Sequence, residues 1–188
     1  MKKLLIIFLL FQTNSFSQSL DKAYFAGGCF WCMEESFEKT EGVLEVISGY
    51  SGGTTKNPTY TEVTYGETGH FETIEVIFNK DSINYNDLLN HFWKNIDPFD
   101  EYGQFCDKGY SYRSVAFYEN DEQIDLIEKS MMKLEKKFNK KIVTYVRKFD
   151  KFYKAEDMHQ NYYEVKFLNY LRYKKACGRE ETLNRIWN

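Results

Sequence analysis

The chain has 188 residues, 43% of them hydrophobic and 18% aromatic, with a formal net charge of −3. That length carries one sizeable core and is short for two, and the apolar content excludes a disordered chain. The slight excess of acid gives no support to nucleic-acid binding, so no nucleic-acid partner is expected.

The first residues differ in kind from the rest. Lys2-Lys3 precede an unbroken apolar run from Leu4 to Phe11, and polar residues then lead into a small-x-small pattern at Ser17 and Ser19. This is the layout of a secretory signal peptide. Cleavage is expected after Ser17 or Ser19; cutting after residue 17 leaves residues 18–188 as a single catalytic domain. The run is too short to cross a bilayer, so no stable membrane anchor is expected. The expected location is therefore outside the cytoplasm, in a bacterial periplasm or cell envelope. Export puts Cys29, Cys32, Cys106 and Cys177 in an oxidising compartment, which would ordinarily imply two structural disulfides. A redox enzyme fits better, because Cys29 lies in a setting suited to a reactive thiol.

Tyr24-Phe25-Ala26 reads as a strand end, Gly27-Gly28 as a turn, and residues 31–38 as a helix stopped by Gly42. Cys29 then sits at a helix N-terminus, where free N–H groups and the helix dipole lower a thiol pKa. The two glycines would let a substrate approach the backbone. Phe30 and Trp31 place two apolar rings beside the sulfur, as in a pocket for a small apolar group. Residues 43–50 form the next strand, and a long turn-rich loop carrying Tyr60 follows.

Residues 71–78 alternate as a strand with Glu72, Ile74, Val76 and Phe78 on the more apolar face. A carboxyl group drawn into that face has a raised pKa and can donate a hydrogen bond. Pattern alone favours the rival, a strand-end glutamate turned into water. Leu88, Leu89, Phe92, Trp93 and Ile96 make a helical stripe ended by Asp97-Pro98, with His91 beside it as a packing residue. A loop over 99–109, a strand over 112–118 and a long amphipathic helix over 124–138 come next. Residues 141–147 form another strand, 157–170 contain a helix, and Cys177 lies in a flexible segment before a short helix to Trp187. The order is the split βαβ pattern of a ferredoxin-like α+β fold, an α/β sandwich, with an additional helix and strand.

The stretch Gly28-Cys29-Phe30-Trp31-Cys32-Met33-Glu34 is followed in order by Asn57-Pro58-Thr59-Tyr60, Gly69-His70-Phe71-Glu72, residues 107–114 and His159-Gln160-Asn161-Tyr162-Tyr163. Together these blocks resemble the peptide methionine sulfoxide reductases of the A type over about residues 22–187. The resemblance implies the same architecture and reduction of methionine S-sulfoxide, in proteins and free. A sulfoxide sulfur accepts a nucleophile only when its oxygen is protonated or strongly hydrogen-bonded, so the chemistry needs a thiolate and acidic donors. By resemblance Cys29 is the nucleophile, and Glu72, Tyr60 and Tyr112 are the donors. Phe30 and Trp31 cage the methyl group, and Asp107 binds polar groups of the substrate. His159 and Gln160 are weaker candidates that could instead pack near the site.

Attack leaves a sulfenic acid on Cys29, which condenses with a nearby thiol to a disulfide. Cys32 is one helical turn away, as in Cys-x-x-Cys redox pairs. Cys177 stands where many family members keep a resolving thiol. The two rank close together, and Cys106 ranks third, with a buried structural role favoured for it. No metal, flavin or nucleotide motif is present, so electrons are expected from a thioredoxin-like dithiol. Expected partners are oxidised proteins or peptides carrying methionine sulfoxide, acted on by a monomer. Two rivals are a thioredoxin-like disulfide oxidoreductase and a zinc-binding module, the latter lacking a second close-spaced ligand pair.

Overall fold

The computed structural model describes residues 19–188. The apolar run and Ser17 lie outside them. Among the described residues no helix is long and apolar enough to cross a membrane.

The first half alternates as expected: β1 (Leu20–Gly27), α1 (Phe30–Glu38), β2 (Val43–Ser51), α2 (Tyr60–Tyr65), β3 (Phe71–Asn79) and α3 (Tyr85–Lys94). A two-residue hairpin, β4 (Gly103–Gln104) and β5 (Asp107–Lys108), precedes β6 (Ser114–Tyr118) and α4 (Asp121–Phe138). The last part holds β7 (Tyr145–Lys148), β8 (Phe152–Lys154), α5 (Tyr162–Val165), α6 (Phe167–Cys177) and α7 (Arg179–Trp187). The main sheet runs β7-β6-β1-β3-β2-β8. Its inner four strands are mutually antiparallel neighbours, with β3 inserted between β1 and β2 and β1 between β3 and β6. That is the interleaved pair of split βαβ units expected from the sequence.

Alternation sorts the strands into two faces. Phe25, Ile74, Val76 and Phe78 meet Phe37 of α1 and Leu88, Leu89, Phe92 and Trp93 of α3 in the larger core. On the other face Tyr24, Phe71, Val115 and Phe117 form a smaller cluster with Phe149 and Phe152.

Four local expectations change. The long loop contains α2, started by a reciprocal cap in which Thr59 and Glu62 satisfy each other's backbone N–H groups. The late strand is confined to Tyr145–Lys148, pairing parallel with β6, and a further edge strand, β8, pairs with β2. The helical region expected over 157–170 breaks into a single 3-10 turn, α5 and the start of α6. Cys177 is not in a flexible segment. It ends α6, before Gly178 in the left-handed conformation that closes such helices.

Cys177 is disulfide-bonded to Cys106, 71 residues earlier. Cys106 is exposed, so the buried structural thiol expected there is replaced by a surface crosslink. Closing a loop of that length stabilises by about 4 kcal/mol in the chain-entropy account. Cys106→Ser should lose stability of that order in chemical denaturation, and the difference from the parent should vanish once both are reduced.

Candidate active site

The turn from β1 into α1 sets the position of Cys29. Gly28 has φ of 80°, and a Cβ there would lie 2.6 Å from Gln104 Cβ. A Cβ on Gly27 would meet Met33 and Ile96. The glycines therefore admit neighbouring side chains of the protein itself, where close approach of a substrate was expected. Cys29 becomes the N-cap residue of α1, and its carbonyl accepts from the N–H groups of Cys32 and Met33.

A cavity of about 60 Å³ opens at this helix end. Cys29, Phe30, Trp31, Tyr60, Glu72, Asp107 and Tyr112 line it together with Tyr173. All seven residues expected from the nucleophile, donor, cage and polar-binding roles are thus brought together. They come from the N-cap and first turn of α1, from α2, β3, the β4–β5 hairpin and a 3-10 turn before β6, and α6 adds Tyr173.

Glu72 is 2% exposed, so the rival of a glutamate turned into water fails. Its Oε2 accepts from the Phe30 N–H at 2.9 Å. Burial pushes its pKa up to about 8, against the lowering effect of that hydrogen bond and with help from Asp107 and Cys32. At neutral pH Glu72 is mostly a neutral acid, able to donate a proton from its other oxygen. Burial raises both the Tyr60 and the Tyr112 hydroxyls.

The thiols behave differently from the sequence expectation. Burial, a hydrogen bond with Cys32 and the negative charges of Cys32 and Glu72 raise Cys29 well above the ordinary thiol value. Helix-end stabilisation is outweighed by loss of solvent around the sulfur. The hydrogen bond from Cys29 brings Cys32 down to about 7 in spite of burial, with Arg179, Tyr170 and Lys174 contributing. Of the two thiols, Cys32 is therefore the one that ionises first.

Aromatic packing braces the cavity wall. Trp31 stacks on Tyr162 with ring centroids 3.8 Å apart, and Tyr60 stacks on His159 at 4.5 Å. His159 also lies 5.3 Å from Phe30. Gln160 is a strut: it accepts from Ser48 N–H and donates to the carbonyls of Ser48 and Ala155. Glu156 accepts from the Tyr60 N–H and the Tyr50 hydroxyl, fixing the start of α2.

Tyr173 was not singled out by the sequence. Its hydroxyl donates to Asp107, and it lines the cavity beside Cys29. Tyr170, three residues earlier and on the same helical face, donates to Glu35 and packs with Cys29 and Cys32. That spacing, Tyr-x-x-Tyr, was the available signal. Arg179 was also missed. It is 4% exposed and donates to the carbonyls of Gly27 and Asn95, tying α7 to the turn that holds Cys29.

Residues 21–188 match the protein family described as peptide methionine sulfoxide reductase. The peptide methionine sulfoxide reductase MsrA of Listeria monocytogenes serotype 4b is 46% identical over 172 residues, covering 90% of this chain and 97% of the relative. Yeast Mxr1 in reduced form superposes with a TM-score of 0.73 at 28% identity, over 78% of this chain and 85% of that one. Mxr1 in complex with Trx2 matches with a TM-score of 0.55 at 21% identity, over 79% and 91%. With its profile matched over nearly the whole chain and its sheet shared with solved relatives, the chain belongs to the peptide methionine sulfoxide reductase family.

Proposed function

We propose that the chain is a repair enzyme that reduces methionine S-sulfoxide, in proteins and free, to methionine at the Cys29 cavity. One observation carries the residue assignment: a thiol, a neutral buried carboxyl group and two tyrosine hydroxyls converge on one small cavity walled by Phe30 and Trp31. A methyl group fits against the rings while the sulfoxide oxygen meets the acids. Protonation of Glu72 removes a negative charge from beside Cys29. Transfer of one proton from Cys29 to the ionised Cys32 makes Cys29 the thiolate. Cys29 attacks the sulfoxide sulfur, Glu72 protonates the oxygen, and collapse transfers that oxygen to Cys29 as a sulfenic acid while methionine leaves. Asp107, with Tyr173 beside it, binds polar groups of the substrate.

Cys32 is the resolving thiol in this reading. Its sulfur attacks the sulfenic sulfur, the proton it took from Cys29 leaves with the hydroxyl group as water, and a Cys29–Cys32 disulfide remains for a thioredoxin-type dithiol to reduce. The Mxr1–Trx2 complex supports a reductant of that class. Cys177 stands second, because its sulfur is held by Cys106 and must first be released. Cys32→Ser should keep the first turnover, seen as one methionine per chain in a rapid quench, and lose most steady-state turnover with thioredoxin. Cys177→Ser should keep both. Equal steady-state rates in Cys32→Ser and the parent would remove Cys32 from the cycle.

Export to an oxidising compartment is part of the proposal, supported by the leader-like N-terminus and by an exposed disulfide. The test of the activity is consumption of a peptidyl methionine sulfoxide with its sulfur epimers separated, dithiothreitol being the reductant. Loss of the S epimer alone is expected. Survival of both epimers with folded, reduced protein would overturn the assignment.

A further inference from the structure

The two cysteines of α1 stand between two cavities. Cys29 lines the catalytic one; Cys32 lines a separate cleft of about 480 Å³, and the two share no lining residue. The catalytic cavity, about 60 Å³, has no room for a peptide-sized reductant beside the sulfur. The cleft is in the range of small-molecule sites.

The cleft is cationic. Lys39, Lys94, Lys174 and Arg179 line it against the carboxylates of Glu35 and Glu180. Glu35 is already engaged, 2.7 Å from Lys39 and 2.6 Å from Lys174. Lys94 and Arg179 have no carboxylate within ion-pair distance among the described residues. Arg179 is the unusual one, because it is buried and all its hydrogen bonds go to neutral acceptors: two carbonyls and the Met33 sulfur. A buried guanidinium needs an anion nearby, and in the reduced protein the Cys32 thiolate supplies it. Once Cys32 is in a disulfide that anion is gone, and four cations of the cleft face two lining carboxylates, with Asp107 the remaining anion that acts on Arg179.

We propose that this cleft binds a small anionic thiol, a peptide-like thiol carrying two or more carboxylates, which reduces the Cys29–Cys32 disulfide from the Cys32 side. The proposal rests on the assignment of Cys32 as the resolving thiol. Oxidation removes one negative charge from the cleft, so the anionic reductant is held more tightly when it is needed and meets the Cys32 thiolate when it is not. The thiolate of the ligand attacks Cys32 Sγ, the Cys29–Cys32 bond breaks, and its electron pair leaves on Cys29. At that moment Cys32 carries no charge to raise Cys29. A second thiol attacks the ligand sulfur of the mixed disulfide, releasing the oxidised thiol dimer and restoring the Cys32 thiolate. Two thiols are oxidised for each protein disulfide reduced.

The test is steady-state reduction of peptidyl methionine sulfoxide by Cys106→Ser/Cys177→Ser protein, which removes the surface disulfide as an entry for electrons. Glutathione is the anionic probe, cysteamine the cationic one, and dithiothreitol the neutral reference. Compared at equal thiolate concentration, glutathione should exceed cysteamine by about tenfold or more, a margin that shrinks with salt. Lys94→Glu should cut the ratio of the glutathione rate to the dithiothreitol rate about tenfold. Acid quenching during glutathione turnover should trap the mixed disulfide on Cys32 in peptide mass spectra. Equal rates with the two charged thiols, an unchanged ratio in Lys94→Glu, or a mixed disulfide on Cys29 would overturn the proposal. Absence of turnover with dithiothreitol would instead indict the sulfoxide reductase assignment.

Discussion

Cys29→Ser is expected to abolish methionine formation, lowering the rate by roughly 10³-fold or more. The reason goes beyond nucleophilicity. The two electrons that convert a sulfoxide into a thioether come from the attacking sulfur, which ends as a sulfenic acid; a serine oxygen would have to end as a hydroperoxide, with a weak O–O bond far too costly to form. The substitution is also a clean probe of folding. Cys29 is the N-cap of α1 and makes no side-chain cap there, whereas serine is among the preferred caps. The variant should be as stable as the parent in thermal unfolding, so lost activity reports chemistry. A single-turnover experiment without reductant checks it: methionine appears with the parent and not with the variant.

Glu72→Gln should reduce kcat by roughly 10²-fold to 10³-fold with little change in KM. Glutamine keeps an oxygen to accept the Phe30 N–H and an amide to hydrogen-bond the substrate, but it has no proton to transfer. The pH profile separates these roles. Glu72 is pushed up to about 8 by burial, so it is protonated and active below that pH and loses its proton above it. The cysteine pair acts in the opposite sense, since Cys32 near 7 must be ionised before the pair can deliver a Cys29 thiolate. The parent should therefore show a narrow bell between about pH 7 and pH 8. In Glu72→Gln the alkaline limb should disappear and the acid limb remain. An alkaline limb unchanged in the variant would assign it to another group and remove Glu72 as the proton donor.

The β1-α1-β2-β3-α3-β6 frame was legible because each element has a clean period and glycine or proline at its ends. Thr59-Tyr60-Thr61-Glu62 also carried its helix signal, a reciprocal cap that the turn-rich surroundings masked. β8 had no such signal: its three residues are a strand only because the edge of β2 is there to pair with. At the site, residues within the matching blocks were found and Tyr173 was not, because among fifteen tyrosines its Tyr-x-x-Tyr spacing does not say what α6 packs against. The raised pKa of Cys29 was hidden for a related reason. A helix terminus is visible in local sequence, whereas desolvation by residues scattered from Tyr60 to Tyr173 is not. The Cys106–Cys177 pairing likewise depends on the docking of α6, and connectivity does not follow from cysteine positions alone.

Arg179 gives the molecule an order of completion. The turn that carries Cys29 is made within the first stretch of the described chain, yet the guanidinium that fastens Gly27 and Asn95 comes from the first residue of the last helix. Tyr173, the hydroxyl beside Cys29, comes only slightly before it. A chain still emerging from the ribosome thus carries its nucleophile long before it carries the groups that enclose it. Such contacts between the two ends of a sequence form late and close at the greatest entropic cost. The reactive centre is therefore assembled last, and a protein truncated anywhere before Tyr173 would display the cysteine pair open to solvent and to oxidants rather than enclosed and ready for turnover.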